Sequence, residues 1–203
     1  MTEIACAQPG PLAVGPTGRS GLGSWGVGTL IASEAALFAY LLFSYFYLGA
    51  TAPSGWLLEP APKLMPALPN TLLLLASSGA AWIGEQGVMH EKRGQAAAGL
   101  GLALLMGAGF AAVQIHEWSA KTYGPGASSY ASLYFVTTGF HLAHVIVGLV
   151  VLGILTAWVL AGFFSAVRWL PVSAGIFYWH FVDAVWLCVF GTYYVTPYLG
   201  FGR

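Results

Sequence analysis

The sequence predicts an all-α integral membrane protein: a bundle of five transmembrane helices in one domain spanning residues 27–203. Of its 203 residues, 58% are hydrophobic and only 7% are charged, whereas a soluble domain carries about 25% charged residues. Five apolar segments are each long enough to cross the roughly 30 Å hydrocarbon core of a bilayer as a helix. These helices are expected at residues 27–50, 70–89, 95–115, 130–161 and 173–197.

The connections between the apolar segments set their boundaries. Residues 1–26 are rich in Gly and Pro and lack an apolar core, so they are expected to form a flexible tail and not a signal peptide. A proline-rich stretch after the first segment predicts a stiff, non-helical loop. Its prolines are Pro53, Pro60, Pro62, Pro66 and Pro69. The charged turn 90–93 ends the second segment, a Gly/Pro/Ser loop at 124–129 follows the third, and Pro171 precedes the fifth.

The charged residues are balanced, with seven basic and seven acidic side chains. No basic run is present, which argues against a nucleic-acid partner. Cys6 and Cys188 are expected at different depths, so they predict no disulfide and indicate no redox compartment. A cytoplasmic N-terminus would place four basic residues inside and three outside, a weak match to the positive-inside rule. We therefore predict a cytoplasmic N-terminus and a periplasmic C-terminus.

Several polar side chains fall inside the predicted spans, where each must face protein or water. Glu34 lies about seven residues into the first span; it is either a proton-exchanging or lipid-contacting acid, or a structural acid bonded to a neighbouring helix. His141 and His144 are three residues apart on the fourth span, and His180 and Asp183 are three apart on the fifth, so each pair shares a helix face. If these helices pack together, the four residues could form one mid-depth polar layer.

Two interpretations of this polar layer remain open at this point. Histidines at such spacing can bind a metal or haem, or they can join an interhelical hydrogen-bond network. Outside the layer, His116 and Glu117 are expected to be water-exposed caps at the end of the third span. Small residues at four-residue spacing on that span predict close helix packing; they are Gly99, Ala103, Gly107 and Ala111.

Three strings carry a family resemblance. FYWHFVDAVWLCVF at 177–190 resembles the last helix of subunit III of haem–copper respiratory oxidases, where a Tyr-Trp-His-Phe-Val-Asp string is characteristic. TTGFHLAHVIVG at 137–148 and ASEAALFAYLLFSYF at 32–46 are similar to two other helices of that family. Weaker matches at 68–78 and 114–118 complete the five spans in order.

The resemblance implies a non-redox accessory subunit of a proton-pumping terminal oxidase, cytochrome c oxidase, in aerobic respiration. It implies no metal in this chain, haem and copper in partner subunits, bound phospholipid, and a complex with subunits I and II and a small subunit IV. Cytochrome c would act on the complex and not on this chain. The alternatives are a quinol oxidase, the related accessory subunit of a nitric oxide reductase and, from another class, an independent proton-coupled transporter.

The resemblance also assigns expected roles to residues. Glu34 falls on a membrane carboxyl that the family places close to the catalytic subunit, and it is a candidate for proton uptake or lipid contact, together with His90 near the inner surface. His141, His144, His180 and Asp183 become a structural polar layer. The family's mitochondrial form has two further helices, whereas five-helix forms are typical of bacterial oxidases, which implies a bacterial plasma membrane. Those two helices build half of the family's lipid cleft.

Overall fold

The computed structural model describes residues 22–52, 55–58, 64–166 and 168–202. Within these ranges the chain forms helices and connections without any β-strand, and five helices are long and apolar enough to cross a membrane. They are α1 (Leu22–Thr51), α2 (Leu64–Met89), α3 (Arg93–Ser119), α4 (Ser129–Ala161) and α5 (Leu170–Phe190). The prediction of an all-α bundle of five transmembrane helices is confirmed.

The helix starts differ from the predicted ones at the first two spans. The predicted tail, residues 1–26, lies outside the described residues as far as residue 21, and α1 already begins at Leu22. Helix α2 begins at Leu64 and includes Pro69, which was expected to lie in the loop. Met65 has non-helical backbone angles (φ −93°, ψ 107°), so the chain bends there. In a regular helix the backbone N–H of residue 69 would donate to the carbonyl of Met65, and proline has no such N–H. Because the chain bends at Met65, this hydrogen bond is not needed there and the proline is tolerated.

The end of α5 is irregular. The helix passes into a π-helical turn over Gly191–Val195 and then a 3₁₀ turn over Thr196–Leu199, which ends at Gly200 with φ 90°. The wider π turn rotates the side chains that follow it relative to a regular α-helix. Tyr193 and Tyr194 are both buried as a result, and they form part of the bundle core.

Helices α2 and α3 are the most closely packed pair, because glycines replace side chains where their backbones meet. A Cβ added at Gly99 would lie 2.5 Å from the backbone nitrogen of Gly84, and one added at Gly87 would lie 2.5 Å from that of Ala96. Gly107 instead accommodates the ring of Trp179, which would lie 2.6 Å from an added Cβ. The predicted small-residue surface of α3 therefore serves packing, as expected.

Helix α5 occupies the middle of the bundle and contacts α1, α2 and α4, while α3 lies between α2 and α4. Among the described residues, helix α1 packs against α4 and α5, and it has few or no contacts with α2 and α3. Just 11% of its span is buried. Connectivity defines two ends of the bundle. The turn end carries the α2–α3 and α4–α5 connections, and the loop end carries the α1–α2 and α3–α4 connections.

Candidate functional site

The first polar site joins α1 to α4. His144 Nε2 lies 3.1 Å from Glu34 Oε2, and the two side chains are only 15% and 27% exposed. His144 Nδ1 lies 2.7 Å from the carbonyl oxygen of Phe140, which can only accept a hydrogen bond, so Nδ1 carries a proton. A hydrogen bond between Nε2 and Oε2 then needs one further proton, held by the imidazole or by the carboxyl. Glu34 and His144 therefore share one exchangeable proton.

A cavity of about 210 Å³ opens beside this pair, between α1 and α4. It is lined by Leu30, Glu34, Ala143, His144, Val147 and Tyr178. The hydroxyl of Tyr178 donates to the backbone carbonyl of His144 at 3.3 Å, which ties α5 to the same wall. Most of the lining is apolar, with the acid–imidazole pair as its polar end, so the cavity can hold an apolar chain next to a proton-holding group.

His141 lies one turn of α4 before His144 but in a different environment. It is fully buried among the rings of Phe38, Phe110 and Trp186, with centroid distances of 6.4, 5.9 and 4.9 Å. Neither of its ring nitrogens has a hydrogen-bond partner. Phe38 also packs edge-on against His144 at 5.2 Å, so the same phenyl ring contacts both imidazoles.

His180 and Asp183 form a second polar site with Ser78, on the α2–α5 interface. Ser78 Oγ lies 2.8 Å from His180 Nδ1 and is also hydrogen-bonded to Asp183 Oδ2. The other carboxylate oxygen, Asp183 Oδ1, is buried without a partner. The order along this chain of contacts is His–Ser–Asp with the serine in the middle, which is unlike a nucleophilic triad, where the imidazole lies between serine and acid.

The four predicted residues of the polar layer are thus distributed over three environments. Among the described residues, no hydrogen bond joins His141 or His144 to the His180–Asp183 pair. The physical reason is helix rotation: His144 is directed at α1, while His180 and Asp183 are directed at α2. The expected single layer is therefore replaced by two separate hydrogen-bonded sites and one isolated imidazole.

The metal interpretation receives no support from this geometry. Both nitrogens of His144 are occupied by Phe140 and Glu34. Across the part of the chain that the structure describes, no group of three or more His, Cys, Asp or Glu side chains is arranged to hold a metal ion. His90, the other candidate for proton uptake, is exposed at the turn end, where its Nδ1 caps the carbonyl of Gln86 at 2.7 Å.

Glu117 was expected to be a water-exposed cap, and the structure corrects this expectation. The hydroxyls of Tyr134 and Tyr194 both donate to Glu117 Oε1, at 3.2 and 2.6 Å, and the two hydroxyls lie 3.2 Å apart. Tyr194 reaches the acid because it lies in the π turn that follows α5. Neither this turn nor the role of Ser78 has a clear signal in the sequence, whereas His116 is exposed as expected.

The fold and these sites define a class: a multi-pass helical membrane protein in which an acid–imidazole pair and a His–Ser–Asp cluster join helices inside the bundle. The family model of cytochrome c oxidase subunit III matches residues 15–198. The chain belongs to that family, whose members are accessory subunits of the terminal oxidase.

Relatives from bacteria and animals agree with this assignment. The chain is 36% identical over 180 residues to a protein named probable cytochrome c oxidase subunit 3 from Nocardia farcinica, covering 83% of this chain and 86% of that protein. It is 33% identical over 174 residues to cytochrome c oxidase subunit 3 of Lumbricus terrestris, covering 82% of this chain and 67% of the relative. The corresponding protein of Drosophila melanogaster is 32% identical over 178 residues, covering 84% and 68%. The predicted family is confirmed over the quinol oxidase, nitric oxide reductase and transporter alternatives.

Proposed function

We propose that this chain is the non-redox accessory subunit of an oxygen-reducing, proton-pumping cytochrome c oxidase, in which it stabilises the catalytic subunit and supports proton uptake. Membership of the subunit III family is the observation that carries the proposal. Haem and copper then belong to the partner subunits I and II, a small subunit IV completes the complex, and cytochrome c delivers electrons to the complex and not to this chain.

The proton-uptake role is assigned to Glu34 and His144. Two titratable groups that share one proton can accept or release it without leaving an isolated charge in the membrane. The pair is only partly buried, so its proton is not sealed inside the bundle. His90, exposed at the turn end, is proposed to collect protons at the surface in support of this pair.

Phospholipid is the proposed occupant of the cavity beside Glu34. Leu30, Val147 and the ring of Tyr178 offer apolar contacts for an acyl chain. Helix α1 is so little buried that lipid or a neighbouring subunit must cover it. We assign a structural role, without proton transfer, to the remaining polar residues. They are His141, which is isolated among aromatic rings, and His180 with Asp183.

The relatives' names favour cytochrome c as the electron donor over quinol. The similarity to a bacterial protein over most of both chains favours the bacterial plasma membrane as the location. It also favours the five-helix bacterial form of the family over the longer mitochondrial form.

The composition of the native complex tests the assignment. The chain, affinity-tagged and purified in mild detergent, is expected to bring with it subunits that contain haem and copper and that oxidise reduced cytochrome c with consumption of oxygen. Haem and non-haem iron without copper would favour the nitric oxide reductase alternative. A colourless homo-oligomer would contradict the proposal altogether.

Glu34→Gln and Glu34→Ala test the role of the acid. Both variants are expected to slow proton uptake by the complex and to speed its inactivation during turnover, because neither side chain can release a proton. Glu91→Gln is the matched control, since Glu91 lies in the exposed α2–α3 turn. If Glu34→Ala changes neither rate, the proton-uptake role is wrong and the acid serves only packing.

A further inference from the structure

Three buried polar side chains on α2, α3 and α4 have hydrogen-bonding atoms that no described residue satisfies. Gln114 and His141 are 0% exposed and Asn70 is 4% exposed. The unsatisfied atoms are Asn70 Oδ1, both amide atoms of Gln114 and both ring nitrogens of His141. Buried polar atoms in proteins are rarely left without a partner, and ordered water is a common one. We infer that these side chains bind a small cluster of ordered water molecules inside the bundle.

The three side chains lie on or beside one turn of α3. Asn70 Nδ2 donates to the carbonyl oxygen of Phe110 at 3.3 Å, and in a regular helix that carbonyl also accepts from the backbone N–H of Gln114. The ring of His141 packs edge-on against the ring of Phe110, with a centroid distance of 5.9 Å. Asn70 and His141 therefore both border the turn of α3 that runs from Phe110 to Gln114.

The directions of α3 and α4 bring the polar ends of Gln114 and His141 to the same layer of the bundle. A side chain on an α-helix is tilted toward the N-terminus of its own helix. Helix α3 begins at the turn end and α4 begins at the loop end. Gln114, one turn beyond Phe110, is therefore tilted back toward the level of Phe110, and His141 is tilted from that level toward the loop end.

Water matches the hydrogen-bonding capacity of these atoms. Asn70 Oδ1 can only accept, because Nδ2 of the same amide is the atom that faces the Phe110 carbonyl. The amide of Gln114 and the neutral imidazole of His141 each offer both a donor and an acceptor. No charged group is bonded to any of the three side chains among the described residues, so nothing in the site favours an ion. A buried water makes about three hydrogen bonds, so satisfying all these atoms takes more than one molecule.

Polar groups continue from this site toward the loop end. Glu117 lies three residues after Gln114 on the same face of α3 and is only partly buried. Its carboxylate accepts from the hydroxyl of Tyr194 at 2.6 Å. The ring of Tyr194 lies 6.4 Å from that of Trp186, which lies 4.9 Å from the ring of His141. The loop-end side of the site is therefore bordered by polar groups and not by apolar side chains alone.

X-ray radiolysis of the intact complex in ¹⁸O-labelled water, followed by mass spectrometry, tests the inference. Hydroxyl radicals formed from an ordered internal water oxidise the side chains beside it, even where those side chains are buried. Trp186, next to His141, is expected to be oxidised several-fold faster than Trp179. The two tryptophans are a matched pair, because they are 1% and 0% exposed and each indole N–H is hydrogen-bonded. Equally slow oxidation of both would overturn the inference.

Two variants remove the polar groups one at a time. Gln114→Leu and His141→Phe are each expected to lower the oxidation of Trp186 toward the level of Trp179, because fewer hydrogen bonds then hold the water. Ser77→Ala is the matched control, since it removes a different buried polar group and should leave the oxidation of Trp186 at its wild-type rate. Wild-type oxidation of Trp186 in both test variants would overturn the inference.

If neither test variant assembles, an electron cryomicroscopy map of the wild-type complex, at a resolution that shows ordered water, decides. Density at hydrogen-bond distance from both Gln114 and His141 would support the inference. A direct hydrogen bond between these two side chains, or no density beside them, would overturn it. The site lies within one chain, so such a failure leaves the proposed function standing, and a chain that purifies without oxidase subunits would overturn only the proposed function.

Discussion

Glu34 on α1 and His144 on α4 lie 3.1 Å apart, and their contact fastens the least buried helix to the rest of the bundle. Phe38, one turn along α1, packs against the same imidazole at 5.2 Å. The site proposed for proton exchange is thus also a structural contact, and a variant can change proton uptake through chemistry or through a loosened helix.

A double-mutant cycle measures how much the contact between Glu34 and His144 contributes to stability. Glu34→Gln and His144→Gln are each expected to destabilise the chain, while the double variant loses little more than either one. The expected coupling is about 0.6 kcal/mol, the average for polar pairs between membrane helices, with an upper value of about 1.7 kcal/mol. Unfolding in mixed detergent micelles, followed by helical circular dichroism, measures it. Strictly additive losses would show that the contact contributes nothing to stability.

Gly99→Ala is expected to destabilise the α2–α3 pair, because the added Cβ would meet backbone atoms of Gly84 at 2.5 and 2.7 Å. Backbone cannot move aside as a flexible side chain can, so the expected loss is about 1–3 kcal/mol, as for overpacked cores. Gly101→Ala on the same helix is the control, since nothing lies within 4 Å of its added Cβ. It should be neutral or slightly stabilising. The same unfolding assay decides, and equal behaviour of the two variants would refute this account of the packing.

Glu117→Leu is expected to loosen the loop end, because it removes the acceptor shared by Tyr134 and Tyr194 and leaves their hydroxyls without it. A loss of about 1–3 kcal/mol is typical when buried polar groups lose a partner. Glu117→Gln keeps one acceptor oxygen and should lose less. Limited proteolysis after residue 190 reports fraying of the π turn directly. If Glu117→Leu resists proteolysis as well as the wild type does, the acid is a solvated cap, as its position at a helix end suggests.

Trp186→Phe tests a buried hydrogen bond between α5 and α2. The indole N–H of Trp186 donates to Thr71 Oγ1 at 2.9 Å, and its ring lies 4.9 Å from that of His141 at an interplanar angle of 32°. Loss of the bond and of ring volume is expected to destabilise the chain by about 1–3 kcal/mol. Trp82→Phe is the matched control, because Trp82 is exposed and has no such bond among the described residues. A similar loss in both variants would mean that tryptophan serves the lipid interface and not the core.

The boundaries of the spans could be predicted where the sequence changes abruptly. The charged turn after Met89 and the Gly/Ser loop before Ser129 end or begin helices close to the predicted residues. The helix-breaking property of proline predicts a loop at Pro69, but the bend at Met65 removes the hydrogen bond that Pro69 cannot make. The π turn after α5 was missed since it depends on the contacts of Tyr193 and Tyr194 in the core and not on local propensity.

The candidate site was predictable only in part. The sequence singled out Glu34, His144, His180 and Asp183 because polar side chains inside apolar spans are costly and need partners. It did not reveal that Ser78 bridges His180 and Asp183, because a serine is common in membrane helices and adds no charge. Nor did it reveal that His141 would lack a partner while His144, three residues later, would have two.

The sequence by itself determined that five helices cross a membrane and which family they belong to, since span length, apolar content and the strings around His144 and His180 are local properties of the chain. Only the tertiary structure decided which polar groups meet. The rotation and register of each helix are set by packing, by glycine contacts between α2 and α3 and by Trp179 against Gly107. A rotation of α1 by one residue position would turn Glu34 away from His144 and toward lipid. Composition and residue spacing would be the same in both cases, so they do not reveal which rotation the helix has.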